Sequence, residues 1–194
     1  MKFIKENSYD IVRLIINQIG IMIFSLVLYT SVSTFDDSIS KPLSILVSVF
    51  STIFYLALVY NVTWEYGSKD KIRIDAGKIT CSKYKGLCLG LCANSVNFVL
   101  GFLCILFDGL YIAIGAEWLN TAFFIFNIIT RFVLSTYLGM VQGIFSSLPD
   151  TSITFLYESV AFMLFPILSV LVAHAGYMLG YKDKRLFSLP KKKS

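Results

Sequence analysis

Charged residues are scarce in this 194-residue chain. Asp, Glu, Lys and Arg together make up 15% of it, whereas an average soluble domain carries about 25%. Hydrophobic residues make up 56%, and the mean hydropathy is +0.72. This composition excludes a soluble globular domain, a disordered chain and a collagen-like chain. It predicts a protein that spans a membrane several times and has the lipid bilayer as its main partner.

Residues that commonly carry enzyme or cofactor chemistry are also few. With His174 as the single histidine, paired haem ligands and a His-Glu-x-x-His zinc site are excluded. The sequence contains no Walker A loop and no Gly-x-Ser-x-Gly elbow. We therefore expect no catalytic residues, no cofactor and no metal site, and His174 is interpreted as a hydrogen-bonded packing residue. Free thiols are expected at Cys81, Cys88, Cys92 and Cys104, because the chain is not a short, soluble, loop-rich disulfide scaffold and because their spacing does not suit zinc.

Four long runs without charged residues predict membrane-spanning helices. A spanning helix needs about 20 consecutive, mostly apolar residues. Each run has 22 or 23 residues, and the runs are 14–35, 42–64, 86–107 and 159–181. Pro42 suits the first turn of the second helix, and Pro166 predicts a kink in the last one.

The apolar stretch 118–149 has three interpretations. Its polar residues recur at a spacing that would place them on one face of a continuous helix, and they are Asn120, Asn127, Arg131, Ser135 and Gln142. Such a helix could lie embedded in the membrane without crossing it, or it could span the membrane with its polar face toward other helices. These two interpretations give four and five crossings. The third has breaks near Asp108 and Arg131 and gives six crossings.

The distribution of Lys and Arg favours four crossings. Fifteen of the 17 basic residues then lie on one side of the membrane and Lys41 on the other, whereas five crossings give nine against seven. The positive-inside rule places the basic side in the cytoplasm. We therefore predict one all-α polytopic membrane domain over residues 1–194. It has four transmembrane helices plus one embedded interfacial or re-entrant helix on the outer side, with five or six spanning helices as the alternative.

The same assignment places both termini in the cytoplasm, together with a short basic loop at 65–85 and a basic tail at 182–194. Ile72, Ile74 and Ile79 predict a small hairpin in the loop around Asp75-Ala76-Gly77. A basic loop of this kind favours contact with anionic lipid or with a cytoplasmic partner. We expect no nucleic-acid binding, because no folded basic domain lies outside the membrane.

Small and polar residues recur on one face of the third predicted span. Glycine lets two membrane helices approach closely, and asparagine can donate hydrogen bonds between them. The residues predicted to pack helices are Gly86, Gly90, Gly101, Gly139, Gly143, Gly176 and Gly180. A polar intramembrane cluster is predicted from Asn94, Asn97, Asp108, Arg131 and Glu158. An unpaired charge is costly in a membrane, so we expect Arg131 to pair with a carboxylate, with Asp108 as the leading candidate.

Three short motifs resemble a known group of sequences. They read Trp64-x-x-Gly67-x-Lys69-Asp70, Lys85-Gly86-Leu87 and Gly176-Tyr177-x-Leu179-Gly180-Tyr181-Lys182. These motifs resemble those of uncharacterised small polytopic membrane proteins of Gram-positive bacteria. The resemblance implies a bacterial plasma membrane and implies no activity.

Two functions follow from these features. The first is a non-enzymatic accessory or interaction subunit that contacts another membrane protein, or a second copy of itself, through its small-residue faces. The alternative is a small transporter or channel component for an ion or small solute, including a subunit of a multi-part importer. The predicted polar cluster favours this alternative.

Overall fold

The computed structural model describes residues 2–78, 84–145, 148 and 152–185. Within these ranges the regular structure is entirely α-helical, which confirms the predicted fold class. The helices are α1 (Lys2–Glu6), α2 (Ser8–Val32), α3 (Asp37–Asp75), α4 (Lys85–Ala93), α5 (Ser95–Ile114), α6 (Glu117–Val133), α7 (Ser135–Phe145) and α8 (Ser152–Tyr181). Four of them, α2, α3, α5 and α8, are long and apolar enough to cross a membrane.

The four long helices form a bundle with two distinct ends. We call the end that holds the α2–α3 and α5–α6 connections the distal end, and the end where α3 stops and α4 starts the proximal end. α2 and α3 are antiparallel, because Arg13 pairs with Glu65 at 2.9 Å near the proximal end and Phe24 lies against Phe54 farther along. α8 packs against both α3 and α5, and so lies at the centre of the bundle.

Helices α6 and α7 form a bent pair that enters and leaves the bundle at the distal end. Their axes differ by 114° across Leu134. The Ser135 hydroxyl donates to the Met22 carbonyl at 2.9 Å, near the middle of α2. Farther along α7, Gln142 accepts a hydrogen bond from the Tyr29 hydroxyl, near the distal end of α2. α7 therefore runs back toward the end at which α6 began, which is a re-entrant arrangement.

This bend corrects one prediction from the sequence. Residues 118–149 do not form a continuous helix, so their polar residues do not share one face. Asn127 and Arg131 lie on α6, whereas Ser135 and Gln142 lie on α7. A further crossing that breaks near Asp108 is also wrong, because Asp108 lies inside α5.

The predicted loop at 65–85 is mostly a continuation of α3. This helix runs without a break to Asp75, so the hairpin predicted around residues 75–77 is wrong. Ile72 and Ile74 are helical, and Ile79 lies outside the described residues. Two contacts stabilise the extension: Lys69 pairs with Glu65 one turn away at 2.6 Å, and Lys85 pairs with Asp70 at 2.6 Å.

The third span also differs from its prediction as one continuous helix, because it consists of two helices, α4 and α5, that meet at Asn94. The Asn94 side-chain amide donates to the Gly90 carbonyl at 2.9 Å, and so does the Asn94 backbone N–H at 3.0 Å. A side chain that competes for backbone groups in this way commonly ends a helix. Pro166, in contrast, lies within α8 without ending it.

Glycines bring the backbones of neighbouring helices together. Each glycine predicted to pack helices lies so close to another helix that an added β-carbon would be crowded. The crowding neighbours are Tyr177 for Gly86, Val170 for Gly90, Met163 for Gly101, Ser44 for Gly139, Ile45 for Gly143, Thr63 for Gly176 and Trp64 for Gly180. Gly67, which the sequence analysis did not assign to packing, lies against the Tyr177 backbone carbonyl in the same way.

Replacing Gly139 or Gly180 by alanine should destabilise the protein. Each new methyl group would overlap a backbone carbonyl, of Ser44 or of Trp64, and overpacking of this kind costs about 1–3 kcal/mol. Gly20→Ala is the matched control, because no heavy atom lies within 4 Å of its added carbon and alanine is the better helix former by about 1 kcal/mol. Thermal unfolding in one detergent, followed by circular dichroism, would measure the difference. Equal midpoints for the three variants would contradict the packing.

Candidate functional site

A cavity of about 580 Å³ lies at the distal end, between the re-entrant pair and the ends of α2, α3 and α8. We call it the distal cavity. Its lining includes Tyr29, Lys41, Ser44, Arg131, Gln142 and Glu158. Basic, acidic, hydroxyl and amide groups therefore surround one space in an otherwise apolar protein.

An ion pair between Arg131 and Glu158 forms part of the cavity wall. Nη2 of Arg131 contacts a carboxylate oxygen of Glu158 on α8. Nε of Arg131 donates to Oδ1 of Asn127, one turn earlier on α6, at 2.7 Å. The Arg131 side chain is 26% exposed and the Glu158 side chain 11%, so the pair is accessible from the cavity but largely shielded.

The pairing predicted for Arg131 with Asp108 is therefore wrong. Thr130 faces α5, because its hydroxyl lies 3.2 Å from the Cys104 sulfur. Arg131 is the next residue, and consecutive helical residues point about 100° apart. Its side chain consequently turns away from α5, which carries Asp108, and reaches Glu158 on α8.

The other two members of the predicted cluster lie in the proximal half of the bundle. Asn97 accepts a hydrogen bond from Gln18 on α2 at 2.8 Å and donates one to Asn94 at 2.9 Å. These hydrogen bonds connect the junction between α4 and α5 to α2. The structure thus divides the predicted cluster into an asparagine group at this junction, the Arg131–Glu158 pair at the distal cavity, and Asp108, which lies on α5 and does not line the cavity.

A group of hydroxyls holds the bend between α6 and α7, and the sequence analysis missed it. The Gly139 backbone N–H donates to the Ser48 hydroxyl at 2.8 Å, and the Thr52 hydroxyl donates to the Thr136 carbonyl at 3.4 Å. The Ser25 and Thr136 hydroxyls lie 3.4 Å apart. Backbone groups freed by a bend inside a membrane need such partners. A signal was available, since Ser44, Ser48 and Thr52 recur every four residues in the second span.

The three motifs behind the family resemblance meet at the proximal end. Asp70, whose side chain is 4% exposed, receives hydrogen bonds from Lys85 at 2.6 Å and from the Tyr177 hydroxyl at 3.0 Å. Gly67 and Gly86 both pack against Tyr177. This arrangement joins α3, α4 and α8, and we interpret it as structural, because each of these polar groups has a partner within the protein.

The remaining candidate residues do not form a reactive group. In the ranges that the structure covers, no three His, Cys, Asp or Glu side chains converge as metal ligands. Cys88, Cys92 and Cys104 are free thiols, and Cys81 lies outside the described residues. The prediction of a hydrogen-bonded His174 is wrong for its Nδ1 atom, which is buried and has no partner among the described residues.

Comparison of the chain with protein-family models, with curated proteins and with solved structures gives no match. The distal cavity is therefore interpreted from its own geometry.

Exchanging the charges of Arg131 and Glu158 tests their pairing. Arg131→Glu alone should destabilise the protein by about 3 kcal/mol, the lower end of the range for breaking a buried pair, because it places two carboxylates together. Adding Glu158→Arg should restore part of that loss. Unfolding free energies in detergent would measure the coupling between the two positions.

The matched control combines Arg131→Glu with Asp108→Arg, which should restore nothing. A larger recovery in this control than in the Glu158 exchange would overturn the pairing.

Proposed function

We propose that this integral membrane protein is a small transport component that binds a small polar solute in the distal cavity. The observation that carries the proposal is the Arg131–Glu158 pair in the wall of a cavity of about 580 Å³. Ligand pockets commonly measure about 300–1,000 Å³. Ionisable residues within membrane segments commonly mark substrate or ion pathways.

The chemistry of the cavity wall favours a solute that carries an anionic group. Arg131 is oriented by its bond to Asn127, so its guanidinium is held in place before a ligand arrives. A carboxylate or phosphate on the solute would replace Glu158 as the partner of this guanidinium. Glu158 would then be available to a cationic or hydroxyl group of the same solute.

The accessory-subunit hypothesis has less support than it had from the sequence. That hypothesis relied on the small-residue faces, and the seven predicted glycines have their crowding neighbours within this chain. Those glycines therefore do not require an external partner. Association with another membrane protein, or with a second copy, stays a prediction that no described contact favours.

We further infer a bacterial plasma membrane with both termini in the cytoplasm. The charge distribution supports this orientation, and the extension of α3 beyond the apolar segment carries Lys69, Lys71 and Arg73 at the proximal end. In this orientation the distal cavity opens to the outside. The resemblance to membrane proteins of Gram-positive bacteria is compatible with this location. Membership of the chain in that group is a proposal.

Thermal stabilisation by candidate solutes tests the binding proposal. The purified protein in lipid nanodiscs would be heated with separate panels of amino acids, small carboxylates, sugar phosphates, neutral sugars and amines. A ligand at one hundred times its Kd adds about 2.7 kcal/mol of stability, which would raise Tm by roughly 5–10 °C. We expect such a shift with a compound that carries an anionic group.

Two tryptophan variants locate the binding. Ser40→Trp should abolish the shift because Ser40 lines the cavity, whereas Ser38→Trp, in the same turn but exposed and outside the lining, should keep it. If none of the panels stabilises the protein, or if Ser40→Trp keeps the full shift, the proposal is wrong.

A further inference from the structure

Asp108 is a buried carboxylate that the proposed solute site does not use. It lies on α5 with 1% of its surface exposed. Its Oδ2 atom has no hydrogen-bond partner among the described residues. An ionised carboxylate buried in this way is energetically unfavourable unless it is paired or protonated. Asp108 therefore requires a proton or a partner that neutralises it.

Two further polar atoms with the same property belong to the helices that flank α5. Nδ2 of Asn127 on α6 and Oγ of Ser159 on α8 are buried, and neither has a partner within the described ranges. Asn127 is 7% exposed and Ser159 is 1% exposed. Three helices therefore each contribute one unpaired polar group.

The packing of α6 on α5 sets Asn127 opposite Asp108. Cys104 contacts Thr130, and the Phe107 ring stacks on the Phe126 ring at 5.3 Å. Asp108 is one turn beyond Cys104, and Asn127 is one turn before Thr130. Because residues one turn apart share a helix face and the two helices are antiparallel, Asp108 and Asn127 share one level.

The packing of α8 on α5 places Ser159 about one helical turn proximal to Asp108. An added β-carbon at Gly101 would lie 3.1 Å from the Met163 β-carbon. Asp108 lies about two turns distal to Gly101, and Ser159 lies one turn distal to Met163 on the antiparallel helix. Asp108 and Asn127 thus form one polar layer between α5 and α6, and Ser159 lies about one turn proximal to it.

We propose that Asp108 is a proton-binding site and that its proton controls the pairing of Arg131 in the distal cavity. A proton neutralises the buried carboxylate and so removes the cost of an unpaired charge between the helices. A metal cation fits less well, because Asn127 presents its N–H group to this layer while its oxygen is engaged by Arg131.

Asn127 connects the two sites. Its Oδ1 accepts from Nε of Arg131, and its Nδ2 belongs to the polar layer of Asp108. Loss of the proton creates a carboxylate that attracts the Asn127 amide, and this attraction weakens the bond by which Asn127 orients Arg131 toward Glu158. The ionisable groups on the elements around Asp108 are Cys104 on its own helix, Arg131 on α6 and Glu158 on α8, and Cys104 lies within electrostatic range of both Asp108 and Arg131.

The inference that the proton on Asp108 controls the distal cavity rests on the proposed solute binding, whereas the inference of a proton-binding site does not. Infrared difference spectroscopy of the full-length protein in nanodiscs, titrated with acid and base alone, tests the proton site first. We expect a protonated-carboxyl C=O band at neutral pH that is present in wild type, is lost in Asp108→Asn and shifts in frequency in Asp108→Glu. Glu117→Gln, which changes an exposed carboxylate at the start of α6, should keep the band.

A wild type without this band at neutral pH, or an Asp108→Asn protein that keeps it, would overturn the proton site. Such a result would mean that Asp108 is ionised and hydrated.

The connection to the cavity is tested with Asn127→Ala and Arg131→Lys, each first checked for native thermal unfolding. Both variants weaken groups that stabilise the ionised carboxylate, so the band should persist to higher pH than in wild type. An unchanged titration in both variants would overturn the control of Arg131 by the proton. The solute panels and the Ser40→Trp variant report on the cavity without reference to this band, so failure of one proposal is distinguishable from failure of the other.

Discussion

A helix that turns back inside a membrane must find hydrogen-bond partners for its free backbone groups within the protein. In this chain the requirement arises at Leu134, where α6 ends and α7 begins at 114°. Ser48 accepts a hydrogen bond from the Gly139 N–H, Thr52 donates one to the Thr136 carbonyl, and the Ser135 hydroxyl attaches the start of α7 to the Met22 carbonyl of α2. Gly139 allows α7 to lie directly against the backbone of α3 at Ser44. Without these contacts the pair would expose polar backbone to lipid.

The bend also creates the distal cavity. Because α7 returns toward the end at which α6 entered, the pair fills the bundle only partly, and a space remains between α7, α3 and α8. Arg131 sits one turn before the bend and is directed to Glu158 rather than to α5. Asp108 is left on the other side of α6, next to Asn127, which contacts Arg131. The two proposed sites therefore share one helix.

The parts of the fold that depend on local composition could be predicted from the sequence. Long apolar runs predict spanning helices because lipid requires them, and Gly176 and Gly180 indicated close packing because a side chain there would prevent it. Features that depend on a tertiary partner could not be predicted. The extension of α3 is stabilised by Lys85, which is distant in sequence from Asp70. The partner of Arg131 depends on a bend that hydropathy does not reveal.

The central claim is that α6 and α7 re-enter the membrane and do not cross it. The four native cysteines would be replaced by serine, and a single cysteine would then be introduced as Glu117→Cys or Leu148→Cys. Intact cells that carry each variant would be treated with a membrane-impermeant thiol reagent. Lys69→Cys, on the extension of α3, is the control for the cytoplasmic side. We expect labelling at positions 117 and 148 in intact cells, and labelling at position 69 only after the membrane has been permeabilised. Labelling of position 117 without position 148 would mean that the pair crosses the membrane, and would contradict this account.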